Sequence, residues 1–265
     1  MPRSRAIATL SVLVATGLAT GLGVASVSAS TDVPPAAAVA GPTAEGPGSA
    51  SAEDAVTEYL SALAAGDLAG ATAAFAVETF VEHYDFEAAI EWQRFYQSYG
   101  IGIPLPSGDP LNTAFNVEQR RATVVNQILN QYFALLNPEL DRTQGQMVDD
   151  AAEFTESLSA AMSSGSLAGL ADFEFVALED IDADAAELYT GPDVKQRDER
   201  NAVLGADESL AVAVRTTAAG DEVTLVFDAV RYGDSWWLES LGGRFALLLN
   251  VDVTSGGVMR DDAAA

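Results

Sequence analysis

The chain has no cysteine among its 265 residues and a single histidine, His83. Without cysteine there is no disulfide framework and no thiolate nucleophile, so the fold must rest on burial alone. One histidine and no cysteine also exclude the usual zinc ligand sets. Basic residues are scarce: 13 Lys and Arg stand against 39 Asp and Glu, for a formal charge of −26. A field of that sign repels nucleic acid and anionic lipid, and both are set aside as partners. No Ser-His-Asp set, zinc motif or phosphate-binding loop is present, and no cofactor is expected. The acidity itself reads as a solvated surface in an extracellular or salty setting.

What is present begins with an export signal. Arg3 and Arg5 precede an uncharged run from Ala6 to Val27, and Val27-Ser28-Ala29 is a small-residue cleavage site. The expectation is a signal peptide over residues 1–29, hence a secreted or extracytoplasmic protein. The run is long for a signal core, so an uncleaved membrane anchor is the alternative. Cleavage removes two arginines and no acid, taking the charge from −26 to about −28. Residues 30–50 hold Pro34, Pro35, Pro42 and Pro47 among Ala and Gly, and read as a flexible linker. Alanine-rich, nearly lysine-free usage suggests a GC-rich bacterial source, and together with the export signal the expectation is a protein of the bacterial cell envelope.

The strongest pattern is near the end. Leu210, Val212, Val214 and Thr216 alternate with Ala211, Ala213 and Arg215, the period of a half-buried strand. Ala218 to Asp221 supplies turn residues before a second run, Val223 to Val230, apolar on both faces as in a covered central strand. Gly233-Asp234 turns the chain into a third strand opened by Trp236 and Trp237 and closed at Gly242-Gly243. Upstream the spacing is helical. Ser51 and Asp54 resemble a capping box before Val56, Tyr59, Leu60 and Leu63, ended at Gly66, and Asp67 caps a second helix. Helices are expected over 86–99, from Asn116 to Pro138, and around Met147 to Met162. Phe173 to Leu178 and Ala185 to Tyr189 are expected as strands, Gly191 to Asp207 as a charged loop, Phe245 to Val253 as a last strand, and residues 256–265 as a flexible tail.

The phrase Ala55 to Asp67, an apolar helix ending at Gly66-Asp67, resembles the first helix of the nuclear-transport-factor-2-like (cystatin-like) superfamily. The close, Val223 to Leu241 with Trp236-Trp237 after Gly233-Asp234, is similar to that superfamily's last strands. The resemblance covers about 25 residues at the front and about 35 at the back. It implies an α+β fold: a curved antiparallel sheet packed on a long N-terminal helix, forming a cone with an open mouth. The helical stretch over about 80–165 departs from the compact pattern and implies a large helical insertion within a single domain over residues 51–255.

Few residues bear chemistry. His83 sits among Glu82, Tyr84 and Asp85 and could serve as a general base, but reads better as a surface or helix-end residue. Asp228 lies mid-strand: it either faces the cone as an acid with a raised pKa or, the favoured reading, pairs with Arg215 or Arg231. Asp180, Asp182 and Asp184 mimic the start of a calcium loop, but Ala185 and Gly191 stand where that loop needs Gly and Glu. Trp92, Tyr96 and Tyr99, with Phe227 and Trp236, are candidates to line an apolar ligand site, though aromatics at helical spacing, Phe95 among them, are more often core. The leading expectation is a non-catalytic exported module binding a small apolar ligand or an envelope protein. The alternatives are a small-molecule isomerase, cyclase or dehydratase using an acid in the cone, and an interaction protein whose cone is filled by its own side chains.

Overall fold

Ser51 starts the first helix as anticipated. Its hydroxyl accepts the Asp54 amide at 3.0 Å and caps α1 (Ala52–Ala64). Val56, Tyr59, Leu60 and Leu63 share the buried face of α1. Gly66, at φ +70°, ends it, and Asp67 caps α2 (Leu68–Ala73). The computed structural model describes residues 45–96, 109–136, 167–191, 195–251 and 256–260. All of them lie in one compact unit, Pro42–Ala265. The expected helix around Met147 to Met162 lies outside the described residues.

Next come α3 (Glu78–His83), α4 (Phe86–Tyr96) and α5 (Pro110–Leu136). The last begins earlier than Asn116, because the Asp109 carboxylate caps Leu111 at 2.8 Å and Pro110 occupies the first turn, where it sacrifices no hydrogen bond. Then follow β1 (Phe173–Val176), α6 (Leu178–Ile181), α7 (Ala183–Thr190), α8 (Lys195–Leu204), the meander β2 (Glu208–Ala218), β3 (Asp221–Tyr232) and β4 (Ser235–Leu241), α9 (Gly243–Leu248) and β5 (Val258–Arg260). The sheet is antiparallel, curved and open, in the order β1-β2-β3-β4, with β5 on the far half of β3. The β2–β3 hairpin turns at Ala219 (φ +53°) and Gly220 (φ +95°), the paired positive φ angles that match strand twist.

β3 is buried on both faces. Val223, Leu225, Phe227 and Ala229 meet α1 and α5 in the main core, where Tyr59 packs edge-on against both Phe75 and Phe227 at 5.7 Å. The α5 residues Val124, Ile128, Tyr132 and Leu135 belong to that same core. Val226, Asp228, Val230 and Tyr232 point the other way, under α3, α7 and α9. The fold is therefore α+β, with a two-sided sheet.

Four local expectations are corrected. Residues 185–189 are helix rather than strand: Asp182 caps the Ala185 amide at 2.8 Å, and Ala185, Ala186 and Tyr189 bury at helical spacing. The apolar run from Phe245 starts as helix α9, since a short apolar run does not by itself distinguish strand from helix. The charged loop contains α8, whose described side chains are buried only at Val203 and Leu204, so its sequence shows no apolar stripe. The segment taken as tail carries β5, pinned by Arg260 on Asp221 (3.0 Å) and on the Ala134 carbonyl (3.1 Å). The end of the linker is also tied down. Ser49 bridges to Trp236 on the edge of β4, and the Glu45 carboxylate accepts the Val77 and Thr79 amides at 2.9 Å, capping α3.

Candidate functional site

The bonded register slips once, between Asp228 and Ala229. Asp228 pairs with Ser240 and Ala229 with Leu238, so Glu239 is the extra residue of a β-bulge. The bulge brings Glu239 and Asp228 to one guanidinium. Arg200, on α8, donates to Asp228 Oδ2 at 3.2 Å and to Glu239 Oε2 at 2.6 Å. The Asp228 carboxylate also accepts from the Tyr189 hydroxyl (3.4 Å), the Ser240 hydroxyl (3.4 Å) and the Arg244 amide (3.2 Å). One side chain thus ties α7, α8, β4 and α9 to the centre of the sheet. Gly243, at φ +44°, is what lets α9 begin there: a Cβ at this position would lie inside the carboxylate. Arg120, on α5, completes the group. It donates to the Glu239 carbonyl at 2.7 Å and to the Ala76 carbonyl at 3.3 Å, and it covers the Phe80 ring at 4.3 Å.

The electrostatics follow from burial. Asp228 is 1% exposed and Glu239 7%. Burial pushes the Asp228 carboxyl above its ordinary value, only partly offset by Arg200. Burial also opposes ionisation of Glu239, but Arg200 and then Arg120 overcome it and hold that carboxyl below the usual range. Burial works against the Arg200 charge, yet Glu239 and Asp228 hold it above the ordinary arginine value. Two acids and two arginines share the cluster, in which both carboxylates are buried while Arg200 keeps 20% of its side chain exposed.

The predicted residues that the structure describes lie in different parts of the fold. Asp228 is buried as expected but pairs with neither proposed arginine. Arg231 is one of the odd-numbered β3 residues, which point away from Asp228, and bonds Glu208 at 3.3 Å. Arg215 stands opposite Thr224, four residues along the strand, and meets Glu174 and Glu222. His83 is exposed at the end of α3, its Nδ1 2.9 Å from the Thr79 carbonyl and its ring 4.8 Å from that of Tyr232. Phe227 is fully buried in the main core and Trp236 packs at the edge of it. Trp92 is half-buried on α4 and is not among the described residues of that core. Tyr96 ends α4, with its side chain outside the described residues, where Tyr99 lies entirely. Asp182, from the acidic run, is occupied as the cap of α7. Among the described residues no group of three or more acids or histidines is placed to hold a metal ion, and no helix is long and apolar enough to cross a membrane.

Arg200, Glu239, Tyr189 and Arg120 escaped the sequence reading. The available signal was the buried acid itself, which requires a cation. Nothing local marks which of the thirteen basic residues supplies it.

No protein-family model matches the chain, and a search of curated proteins returned no match. Among solved structures, the chain is similar to the crystal structure of a cystatin-like protein from Ruminococcus gnavus ATCC 29149, at 16% identity and a TM-score of 0.41, over 71% of this chain and 39% of that one. The chain thus spans about two fifths of that protein's length.

Proposed function

We propose that this is an exported, non-catalytic module of the bacterial cell envelope that binds a protein partner through its surface. One observation carries the reading: the space between sheet and helices is occupied by the chain's own side chains. Tyr59, Phe75, Phe227, Leu225 and Leu238 are all fully buried there. The interior acids are likewise spoken for. Asp228 accepts from four donors at 1% exposure, whereas a general base must reach a substrate proton. This argues against an isomerase, cyclase or dehydratase working through Asp228, and against an apolar ligand seated on Phe227.

A melting screen tests it. A ligand that binds only the native state raises the midpoint as its concentration exceeds Kd. Fatty acids and fused-ring aromatics at saturating concentration are expected to leave the melt unchanged. A rise of several degrees that Phe227→Ala abolishes would replace this reading with an interior ligand site. The mass of the protein in culture supernatant tests export: loss of residues 1–29 is expected, and a chain retaining Arg3 and Arg5 in the membrane fraction would make it an anchored protein.

A further inference from the structure

The helix α5 has two apolar faces. One, with Val124, Ile128, Tyr132 and Leu135, is in the core. The other is open: Leu111 is 77% exposed, Phe115 57%, Val125 39% and Leu129 44%. With the exposed Glu118 and Ala122 they follow a spacing of 4, 3, 4, 3 and 4 residues, the alternation that keeps a seam facing one partner helix. The stripe is also symmetric about residue 120. Leu111 and Leu129 are equidistant from it, as are Phe115 and Val125, and Glu118 and Ala122. A two-fold axis at that point, with the helices antiparallel, sets Leu111 against Leu129, Phe115 against Val125 and Glu118 against Ala122 of the second copy. Large meets large, and the one acid meets a methyl group rather than its own counterpart.

Charge favours the same partner. The chain carries 39 acids, yet Glu118 is the sole acidic residue of the 27 in α5, and it is held by Arg121 at 2.6 Å. Two molecules of charge −26 repel wherever acidic surfaces meet, and this face lets them approach without apposing those surfaces. The stripe runs about 27 Å along the helix, from eighteen steps of about 1.5 Å. On a helix about 10 Å wide that is a seam of about 270 Å² on each copy, below the size of a standard interface, so the pairing it supports is weak and reversible.

We infer that the stripe Leu111–Phe115–Val125–Leu129 of α5 is a self-association surface that pairs antiparallel with the same helix of a second copy of this chain. The inference is independent of the proposed function, since a catalytic protein could pair in the same way.

Sedimentation equilibrium of the purified protein across micromolar to millimolar concentration reads the mass. The expected result is a doubling of mass with concentration, reached at lower concentration when added salt screens the net charge. Leu129→Asp and Leu111→Asp are expected to remain monomeric over the same range while keeping the wild-type circular dichroism, because both side chains are exposed. The absence of native cysteine permits a register test. Mixing an E118C chain with an A122C chain under mild oxidation should give a mixed disulfide dimer, in preference to like-with-like dimers of either chain alone. A protein that stays monomeric overturns the inference, including the case in which residues 137–166 of the same chain cover the stripe. So does a dimer that survives Leu129→Asp, or one in which A122C pairs best with itself.

Discussion

Replacing Arg200 with Met tests whether the buried charge cluster holds the second layer on the sheet. The substitution keeps most of the aliphatic length and removes the guanidinium that bonds Asp228 at 3.2 Å and Glu239 at 2.6 Å. Two carboxylates, exposed by 1% and 7%, then remain without their shared cation. Removing one partner of a buried pair costs about 3–5 kcal/mol, much of it the penalty of the charge left behind. In a domain of this size each kcal/mol moves the midpoint by roughly 2–4 °C, so the melt should fall by about 6–20 °C. Urea unfolding followed in the near-ultraviolet measures the same loss and remains usable if the variant is barely folded at room temperature. The control is Asp228→Asn in the Arg200→Met background. It removes one stranded charge and should restore at least about 1 kcal/mol relative to additive losses, because the two side chains are in contact. A loss below about 1 kcal/mol for Arg200→Met, or strict additivity in the double variant, would refute the view that this pair fastens α8 to the sheet.

Glu239→Gln should lower stability at neutral pH, with the gap to wild type closing in acid. The folded carboxyl is held below its ordinary value near 4.5, so its contribution is present above that pH and is lost as pH falls through the folded value; urea midpoints from pH 7 to pH 3 read this directly. Gly243→Ala should cost at least about 2 kcal/mol, as the methyl would displace the Asp228 carboxylate, whereas Gly220→Ala meets nothing within 4 Å and should cost about 1 kcal/mol from its positive φ alone; comparing the two melts separates clash from backbone strain. Trp237→Ala should cost about 3–5 kcal/mol and the half-buried Trp236→Ala clearly less, while the exposed His83→Ala, which loses a ring contact with Tyr232 and the Nδ1 hydrogen bond to the Thr79 carbonyl, should cost about 0.5–1 kcal/mol; a melt series in which His83→Ala ranks first would contradict this order.

The elements legible in the sequence are those whose residues carry their own instructions. Ser51 and Asp67 cap their helices through side chains three residues from the amides they accept, and the β2–β3–β4 meander follows from alternation and turn residues alone. The mixed character of β3, apolar on both faces with one acid, was likewise visible as a covered strand. What misled was any element whose stability comes from elsewhere. The helix α8 has almost no apolar face, and its place is decided by Arg200 reaching two acids 28 and 39 residues away. The strand β5 is too short to announce itself and depends on Asp221 and on the end of α5 to hold Arg260. The choice of Arg200 over Arg215 or Arg231 could not be made from spacing. Local pattern fixes which face of a strand a residue occupies, but which distant side chain arrives there is set by how the helices pack back onto the sheet and by a one-residue bulge at Glu239. An ion pair in the interior is a contact between separate elements, and only the tertiary fold brings them within reach.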